Sequence, residues 1–457
     1  METIRVRLRF LSHPHVCGIV LPAQLFQKLD LRPRQRITVM LGKKEIVATV
    51  LQDQRNPDSN IVKVTSLMRT ELGIPHGGLI SLKREGDALR IGPSIGIVTT
   101  GLRRDPRMPI GQRTSFFHKL LQAQEGKGVF YFIFSPHDVD WNNHRVNAWF
   151  LRRTKSGGYV WRRLTTAIPD VVYDRIPSRS AEKHEAVKAF KYKLANYPHI
   201  PVFNQGFFNK WRIHQLLYPN PEVNQHIPET YTSPNLQTLR NLLRKYPIVY
   251  LKPKNGSLGY GIIKVTRQAK GYDVSYHTGS GNVKRFFSKL SSLYQHVFRT
   301  RRISSYLAQQ GIPLLTFHGR PFDFRVHLHK NQLNEWVVSC TAAKVAGSGS
   351  VTTHVRTGGT VIPGDDLLRH LFGKQHAMVM DRVKEASIRL ASAIEQAKAM
   401  ELGELGLDIG IDTRGHVWMF EANSKPGRSI FKHARLKQAD KESRKLLVDY
   451  SCYLANF

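Results

Sequence analysis

The chain has 457 residues, 41% of them hydrophobic and 10% aromatic, enough to bury a core and to divide into roughly two to four domains. Lys and Arg number 69 against 34 Asp and Glu, a formal charge of +35 that predicts attraction to polyanions and says nothing of fold. Cys17, Cys340 and Cys452 lie far apart with no CxxC pair, which argues against a disulfide framework or a structural zinc site.

The start, METIRVRLRF, lacks the apolar core of a signal peptide. No apolar run approaches the ~20 residues of a membrane span, so the expected location is the cytoplasm or a structure assembled inside a cell. Residues 1–95 alternate β-like runs with turn clusters: TIRVRLRFL, HVCGIVLP, RITVMLG, EIVATVLQ, NIVKVTSL. One short helix, AQLFQKLDL, interrupts them. This predicts a small β-rich, barrel-like domain, and with no catalytic constellation in it the expected role is accessory or docking.

Residues 96–205 read as α/β. IGIVTT, GVFYFIFSP and IPDVVYDRIP are strands, and TSFFHKLLQAQEGKG is a helix ending on glycine. Alternating strands and helices predict a parallel sheet. SAEKHEAVKAFKYKLANY reads as a polar, exposed helix, and Asn209–Leu217 opens another.

In IVYLKPKNGSLGYGIIKV, residues 248–265, a strand sets Lys252 and Lys254 on one face. The run from Asn255 to Gly261 then supplies three glycines and a serine before a second strand. Glycine lets a backbone approach phosphate closely, and N–H groups with lysine meet its charge. No GK[ST] follows, so this is not a Walker A loop; it is a phosphate flap or a plain turn. SYLAQQGIPL, residues 305–314, is either a hinge strand whose backbone meets an adenine edge or a core strand.

RPFDFRVHLHKN, residues 320–331, alternates strictly. Phe322, Phe324, Val326 and Leu328 face a core, while Asp323, Arg325, His327 and His329 face the other way. That second face is a wet edge, or in a cleft it lets Arg325 grip a γ-phosphate with its planar fork. A metal on the two histidines is the minor alternative, since Mg²⁺ prefers oxygen. Residues 342–360 form a glycine- and hydroxyl-rich stretch with Lys344 and Arg356, a closing loop or plain surface.

LGLDIGIDTRGHVWMFEANSKPG, residues 405–427, reads as two strands about a tight turn at Asp412–Gly415. Asp408 should sit opposite Glu421, with Asn423 two residues on. The return strand should put Val417, Met419, Glu421 and Asn423 on one side and Trp418, Phe420 and Ala422 on the other. Two carboxylates ~4 Å apart repel by about 4 kcal/mol at an effective dielectric near 20. A cation or a shared proton must compensate, unless this is a surface hairpin with solvated acids. Charge is also uneven: residues 241–345 carry 17 Lys and Arg against 3 acids, residues 401–457 carry 9 against 8. A phosphate-handling lobe facing a metal-binding hairpin would show this, as would a generally basic surface.

Taken in order, the motifs IPDVVYDRI, FNKWRIHQLL, YLKPKNGSLGYGI, AQQGI, PFDFRV and GLDIGID…FEANSKPG resemble the ATP-grasp superfamily, and more closely the YheC/YheD family of endospore coat-associated proteins. The resemblance covers about residues 95–435. It implies α/β and α+β architecture: a small N-terminal β-rich domain (1–95), an α/β pre-ATP-grasp domain (96–205) and an ATP-grasp domain of two lobes around the nucleotide (206–457). It also implies ATP and Mg²⁺ as ligands. Lys210 and Lys252 would contact the phosphates and the adenine side, and Asn255, Gly256, Ser257, Gly259 and Gly261 would form the flap. Gln309 and Gln310 would lie in the adenine hinge, where the superfamily commonly has glutamate. Arg325 and Lys344 would stabilise the γ-phosphoryl group, with Lys344 where arginine is usual. Asp408, Glu421 and Asn423 would hold Mg²⁺.

The reaction so implied is ATP-dependent ligation of an unidentified carboxylate to an amine or thiol through an acyl phosphate. Other coat proteins or anionic polymers are further expected partners. The alternatives are a non-catalytic coat component that keeps the fold, and a nucleic-acid binder. Against the latter, aromatics do not interleave with the basic residues and no helix-turn-helix or zinc-finger pattern is present.

Overall fold

A computed structural model describes residues 2–13, 15–55, 58–197, 199–255, 261–278, 281–347, 353 and 358–457. The chain forms two compact units. Unit 1 comprises Met1–Gly206, Lys330–Glu335 and Arg444–Phe457; unit 2 comprises Phe207–His329 and Trp336–Ser443.

In unit 1, seven strands close into a barrel: β1 (Ile4–Leu11), β2 (Gly18–Leu21), β3 (Arg36–Leu41), β4 (Lys44–Gln52), β5 (Ile61–Thr65), β6 (Gly78–Glu85) and β7 (Ala88–Gly92). Their order is β1-β5-β2-β4-β3-β7-β6. Alternation along β1 explains the closure, since Val6 and Leu8 point into the core while Arg5, Arg7 and Arg9 stay exposed. Two helices interrupt the strands rather than one, α1 (Ala23–Lys28) and α2 (Ser66–Leu72). The run NIVKVTSL hid the start of α2. Thr65 ends β5 and caps the helix, its side chain accepting from Met68 N at 3.3 Å, and Gly73 closes it at φ 75°.

The second sheet of unit 1 contains β8 (Ser94–Val98), β9 (Phe130–Phe134), β10 (Val139–Asp140), β11 (Arg145–Arg153), β12 (Tyr159–Ala167), β13 (Val171–Asp174) and β14 (Val202–Phe203). Strands β8, β9, β13 and β14 are mutually parallel, as expected. The sheet is nevertheless mixed, because β11 runs antiparallel to β9 and β12. The turn between Arg153 and Tyr159 is too short for the crossover a parallel pair requires. Helix α3 spans Thr114–Gln122 and α4 spans Glu185–Ala195. Helix α4 is amphipathic rather than polar throughout, burying Val187, Phe190 and Leu194 at helical spacing.

Unit 2 opens with α5 (Lys210–Leu217) and has two sheets. The first contains β15 (Thr230–Thr232), β16 (Ile248–Pro253), β17 (Ile263–Gln268), β18 (Gly271–Thr278), β19 (Gly281–Phe287) and β20 (Tyr306–Gln310), ordered β15-β20-β16-β17-β18-β19. Helices α6 (Leu236–Lys245) and α7 (Leu290–Phe298) share its core through Leu239, Leu243, Val249, Val265 and Leu293. The second contains β21 (Thr316–Phe317), β22 (Arg320–Lys330), β23 (Trp336–Val345), β24 (Thr360–Pro363), β25 (Glu404–Ile411) and β26 (Val417–Asn423), ordered β24-β23-β22-β25-β26 with β21 on β22. Helices α8 (Gly364–Phe372) and α9 (His376–Lys398) pack on Phe322, Phe324, Val326, Leu328, Leu405 and Leu407. Helix α10 (Lys437–Leu454) runs from unit 2 into unit 1. Among the described residues, no helix is long and apolar enough to cross a membrane.

The β25–β26 hairpin pairs Asp408 with Glu421, as its length predicts, and Gly406 with Asn423. The expected division of faces fails at one place. The register shifts between Asp408 and Ile409, so that Ile409 opposes Met419 and Phe420 is the extra residue. A bulge of this kind inverts the alternation after it. Val417, Met419 and Ala422 therefore share the core, while Phe420 and Glu421 line the opposite side.

Candidate active site

Both sheets of unit 2 line one cavity of about 830 Å³. The size suits a nucleotide with room beyond it. Its floor is a row across the second sheet, in which Lys344 opposes Val361, Arg325 opposes Asp408, and Asp408 opposes Glu421. Like charges directly across a hairpin destabilise it, and here each carboxylate has its own cation. Arg325 takes Asp408 in a fork, Nε to Oδ1 at 2.8 Å and Nη2 to Oδ2 at 3.2 Å. Lys344 Nζ bridges Asp408 at 3.1 Å and Asp323 at 2.8 Å, and Lys210 Nζ lies 3.1 Å from Glu421.

Gly406 is what admits the fork. A Cβ there would stand 2.6 Å from Pro426 Cβ and 3.0 Å from Arg325 Nη1. Burial pushes the Asp408 carboxyl up, but the charges and hydrogen bonds of Arg325 and Lys344 hold it below its usual value. Burial wins at Asp323, which Lys344 pulls down and Asp408 pushes up, leaving it raised.

Lys252 extends from β16 into the cavity. It donates to Gln309 Oε1 at 2.5 Å, and its Nζ lies 5.6 Å from the Tyr250 ring centre and 5.5 Å from that of Phe420. Burial, with the charge of Lys210, lowers its ammonium to about 8 against the pull of Glu421, Asp323 and Asp408. Lys210 sits in the first turn of α5, whose cap Asn209 accepts from Arg212 N at 3.1 Å and donates to Asn255 Oδ1 at 2.7 Å.

The cavity thus brings together Lys210, Lys252, Gln309, Gln310, Arg325, Lys344, Asp408 and Glu421. Asn423 and Asn255 lie on the flanking segments, outside its lining. Gly256, Ser257 and Gly259, like Arg356, fall outside the described residues. Gly261 is described: it takes φ 74°, and its carbonyl accepts from Tyr306 Oη at 3.2 Å.

Two expectations change here, and the alternative left open for the 305–314 segment divides between its two readings. Lys254 does not join Lys252: β16 stops at Pro253, and Lys254 Nζ donates to Ser233 Oγ at 3.2 Å. Lys344 lies in β23 rather than in a loop. The hinge segment is core as far as Ala308, paired on one side with β15 and on the other with β16. It reaches the cavity at Gln309, which donates to Thr230 Oγ1 at 3.0 Å, and at Gln310, whose Oε1 accepts from Glu229 N at 3.1 Å.

His327 and His329 are fully buried rather than wet. The His327 ring sits edge-on to Phe431 with centroids 5.0 Å apart, and His329 Nδ1 is 2.8 Å from Ser339 Oγ. Among the described residues, no group of three His, Cys, Asp or Glu side chains is placed to hold a metal. Two opposed carboxylates facing a cavity are nonetheless a hard-oxygen pair of the kind that holds Mg²⁺ together with phosphates, so Asp408 and Glu421 fit that ion.

Sequence reasoning passed over Asp323, Tyr250, Phe420, Arg428, Lys432 and His433, all in the lining. Asp323 was legible as the i−2 neighbour of Arg325 on one strand face. Tyr250 was legible in the same way, two residues before Lys252 on β16, whereas Arg428, Lys432 and His433 carry no periodic signal.

The family model for YheC/D-like ATP-grasp proteins matches residues 199–454. The endospore coat-associated protein YheD of Bacillus subtilis (strain 168) is 34% identical over 391 residues, covering 84% of each chain. YheC of the same organism, also described as endospore coat-associated, is 26% identical over 301 residues, 66% of this chain and 82% of that one. Among solved structures, D-alanyl-alanine synthetase A from Vibrio cholerae is 14% identical and covers 80% of this chain and 99% of its own, at a TM-score of 0.43, too low to build on. With more than half its length matched by the model, and a relative sharing a third of its residues across most of both chains, the protein belongs to the YheC/D-like ATP-grasp family.

Proposed function

We propose that the chain binds Mg·ATP in the unit 2 cavity and uses it to join a carboxylate to an amine or thiol through an acyl phosphate, in association with the spore coat. The observation that carries this reading is the convergence of Lys210, Lys252, Arg325 and Lys344 with Asp408 and Glu421 around one space. We assign Gln309 and Gln310 to the base side, and Asn255–Gly261 to the flap over the β- and γ-phosphates. A triphosphate entering beside Lys252 would offer Arg325 and Lys344 a stronger anion than Asp408. The freed carboxylates of Asp408 and Glu421, with Asn423 as a third oxygen, would then hold Mg²⁺. The ion supplies charge neutralisation at the transferred phosphoryl group. Arg325 and Lys344, carried on adjacent strands, would stabilise that group once they have exchanged Asp408 for phosphate oxygens. We further propose domains at 1–95, 96–205 and 206–457, with the barrel as a docking module for coat proteins or anionic polymers.

The test is ADP release from Mg·ATP with paired acids and amines. Turnover should require both, and Arg325→Met should lower kcat by about 10²–10³-fold. One observation favours a second reading, a coat component that keeps the fold without turnover. Both oxygens of Asp408 are already engaged, a closed network that needs no metal. Saturable Mg·ATP binding with no ADP release from any acid–amine pair would support that reading over ligation.

A further inference from the structure

The cavity continues past the residues assigned to nucleotide. On the β26 side, Phe420 and Glu421 meet Lys252 and Lys210. On the β24 side, the floor ends at Lys344 and Val361, beneath the short turn Ser429–Lys432. That turn is anchored by Ile430 and Phe431, which share a small core with Cys340 and Ala342 against Val361. It follows the acidic hairpin directly, and with its neighbours it adds a further group to the cavity lining: Arg428, Ser429, Lys432 and His433.

The charges in this cluster differ from those on the floor. Asp323, Asp408 and Glu421 are matched by Lys344, Arg325 and Lys210. Arg428 is fixed by Asp440, at 2.8 Å from Nη2 and 2.9 Å from Nε. Lys432, exposed at the rim, makes no ion pair among the described residues. His433 Nδ1 is buried and has no hydrogen-bond partner there. A buried imidazole nitrogen without a partner is costly, and with the unpaired ammonium of the preceding residue in the same lining it suits an acceptor oxygen supplied from outside.

Resting on the nucleotide-ligase reading, we propose that the acid substrate of this cavity carries a second anionic group, a distal carboxylate or its equivalent, received by Lys432 and His433. The carboxylate to be activated lies over Lys344 and Arg325, and the distal anion over the Ser429–Lys432 turn. Lys432 and His433 are specificity-determining residues, separate from those that handle phosphate.

The experiment compares acids on the full chain, with Mg²⁺ and a non-hydrolysable ATP analogue present. Succinate, glutarate and adipate are each titrated against butyrate, valerate and hexanoate of equal chain length, and binding is read as added thermal stabilisation. At least one diacid should bind about tenfold more tightly than its monoacid. Lys432→Glu should erase that preference, and His433→Leu should reduce it. Arg435→Gln should retain it, since Arg435 is exposed and pairs with Asp366 outside the cavity. Equal binding of every diacid and its monoacid, or a preference unchanged in Lys432→Glu, overturns the inference alone. No stabilisation by the Mg²⁺–nucleotide analogue itself overturns the nucleotide reading, and this inference with it.

Discussion

Replacing Lys252 by Met should stabilise the folded chain while removing its response to nucleotide, opposite effects from one change. The Lys252 ammonium is lowered from 10.5 to about 8 by burial and by Lys210. At 1.36 kcal/mol per unit, keeping it charged near pH 7 costs about 3 kcal/mol. Lys252 retains partial access to the cavity, which reduces that cost. The variant also strands Gln309 Oε1, whose lost bond is worth roughly 1 kcal/mol. A net gain of about 1–2 kcal/mol is expected.

The gain should depend on pH. The folded chain releases this proton near 8 and the unfolded chain near 10.5, so between them the unfolded state binds more protons. Wild-type stability therefore rises across that window by up to about 1.4 kcal/mol per pH unit, and the variant's does not, so the gap closes. Urea unfolding followed by tryptophan fluorescence, from about pH 7 to about pH 10, measures it. A variant less stable than wild type near pH 7, or a gap that does not change with pH, refutes the argument that Lys252 is held in place against its own desolvation.

Gly406→Ala should cost about 1–3 kcal/mol, because its Cβ meets Pro426 and Arg325 at 2.6 and 3.0 Å. It should also weaken Mg·ATP binding, which calorimetry of the purified variant would detect. Asp408→Asn leaves Arg325 and Lys344 without their shared carboxylate, an expected loss of about 3–5 kcal/mol in urea unfolding. Asp408 is held below its usual 3.8, so its contribution is present above that value and fades as pH falls through the folded-state value. The variant should lack this part of the wild type's acid destabilisation. Lys210→Ala, which breaks a partly exposed pair with Glu421, should change stability by about 1 kcal/mol or less, with its effect read in nucleotide affinity.

What was legible in the sequence was whatever depends on a constant period. The alternation in β22 put Phe322, Phe324, Val326 and Leu328 in the core, and the hairpin's length set Asp408 against Glu421. What was hidden depends on a change of period or on tertiary cover. The bulge at Phe420 inverts the face of β26 at one residue, and no residue type marks it. His327 and His329 look solvent-facing by alternation, yet lie fully buried, with Phe431 of the Ser429–Lys432 turn against His327. That turn is too short to carry a periodic signal. Lys254 matched Lys252 by spacing and diverged because the strand ended at Pro253. Asp323 was visible on the face of Arg325, and only its partner Lys344, on the neighbouring strand, identifies it as part of the site.

The central claim, that the cations and carboxylates of unit 2 enclose a triphosphate with a divalent ion, is tested most directly by titrating the wild-type protein with ATP in a calorimeter, with Mg²⁺ and then with the metal chelated. Saturable binding of one nucleotide per chain, markedly weaker without Mg²⁺ and lost in Lys252→Met, is the predicted result. No saturable heat under either condition, or binding indifferent to both Mg²⁺ and Lys252, would contradict it.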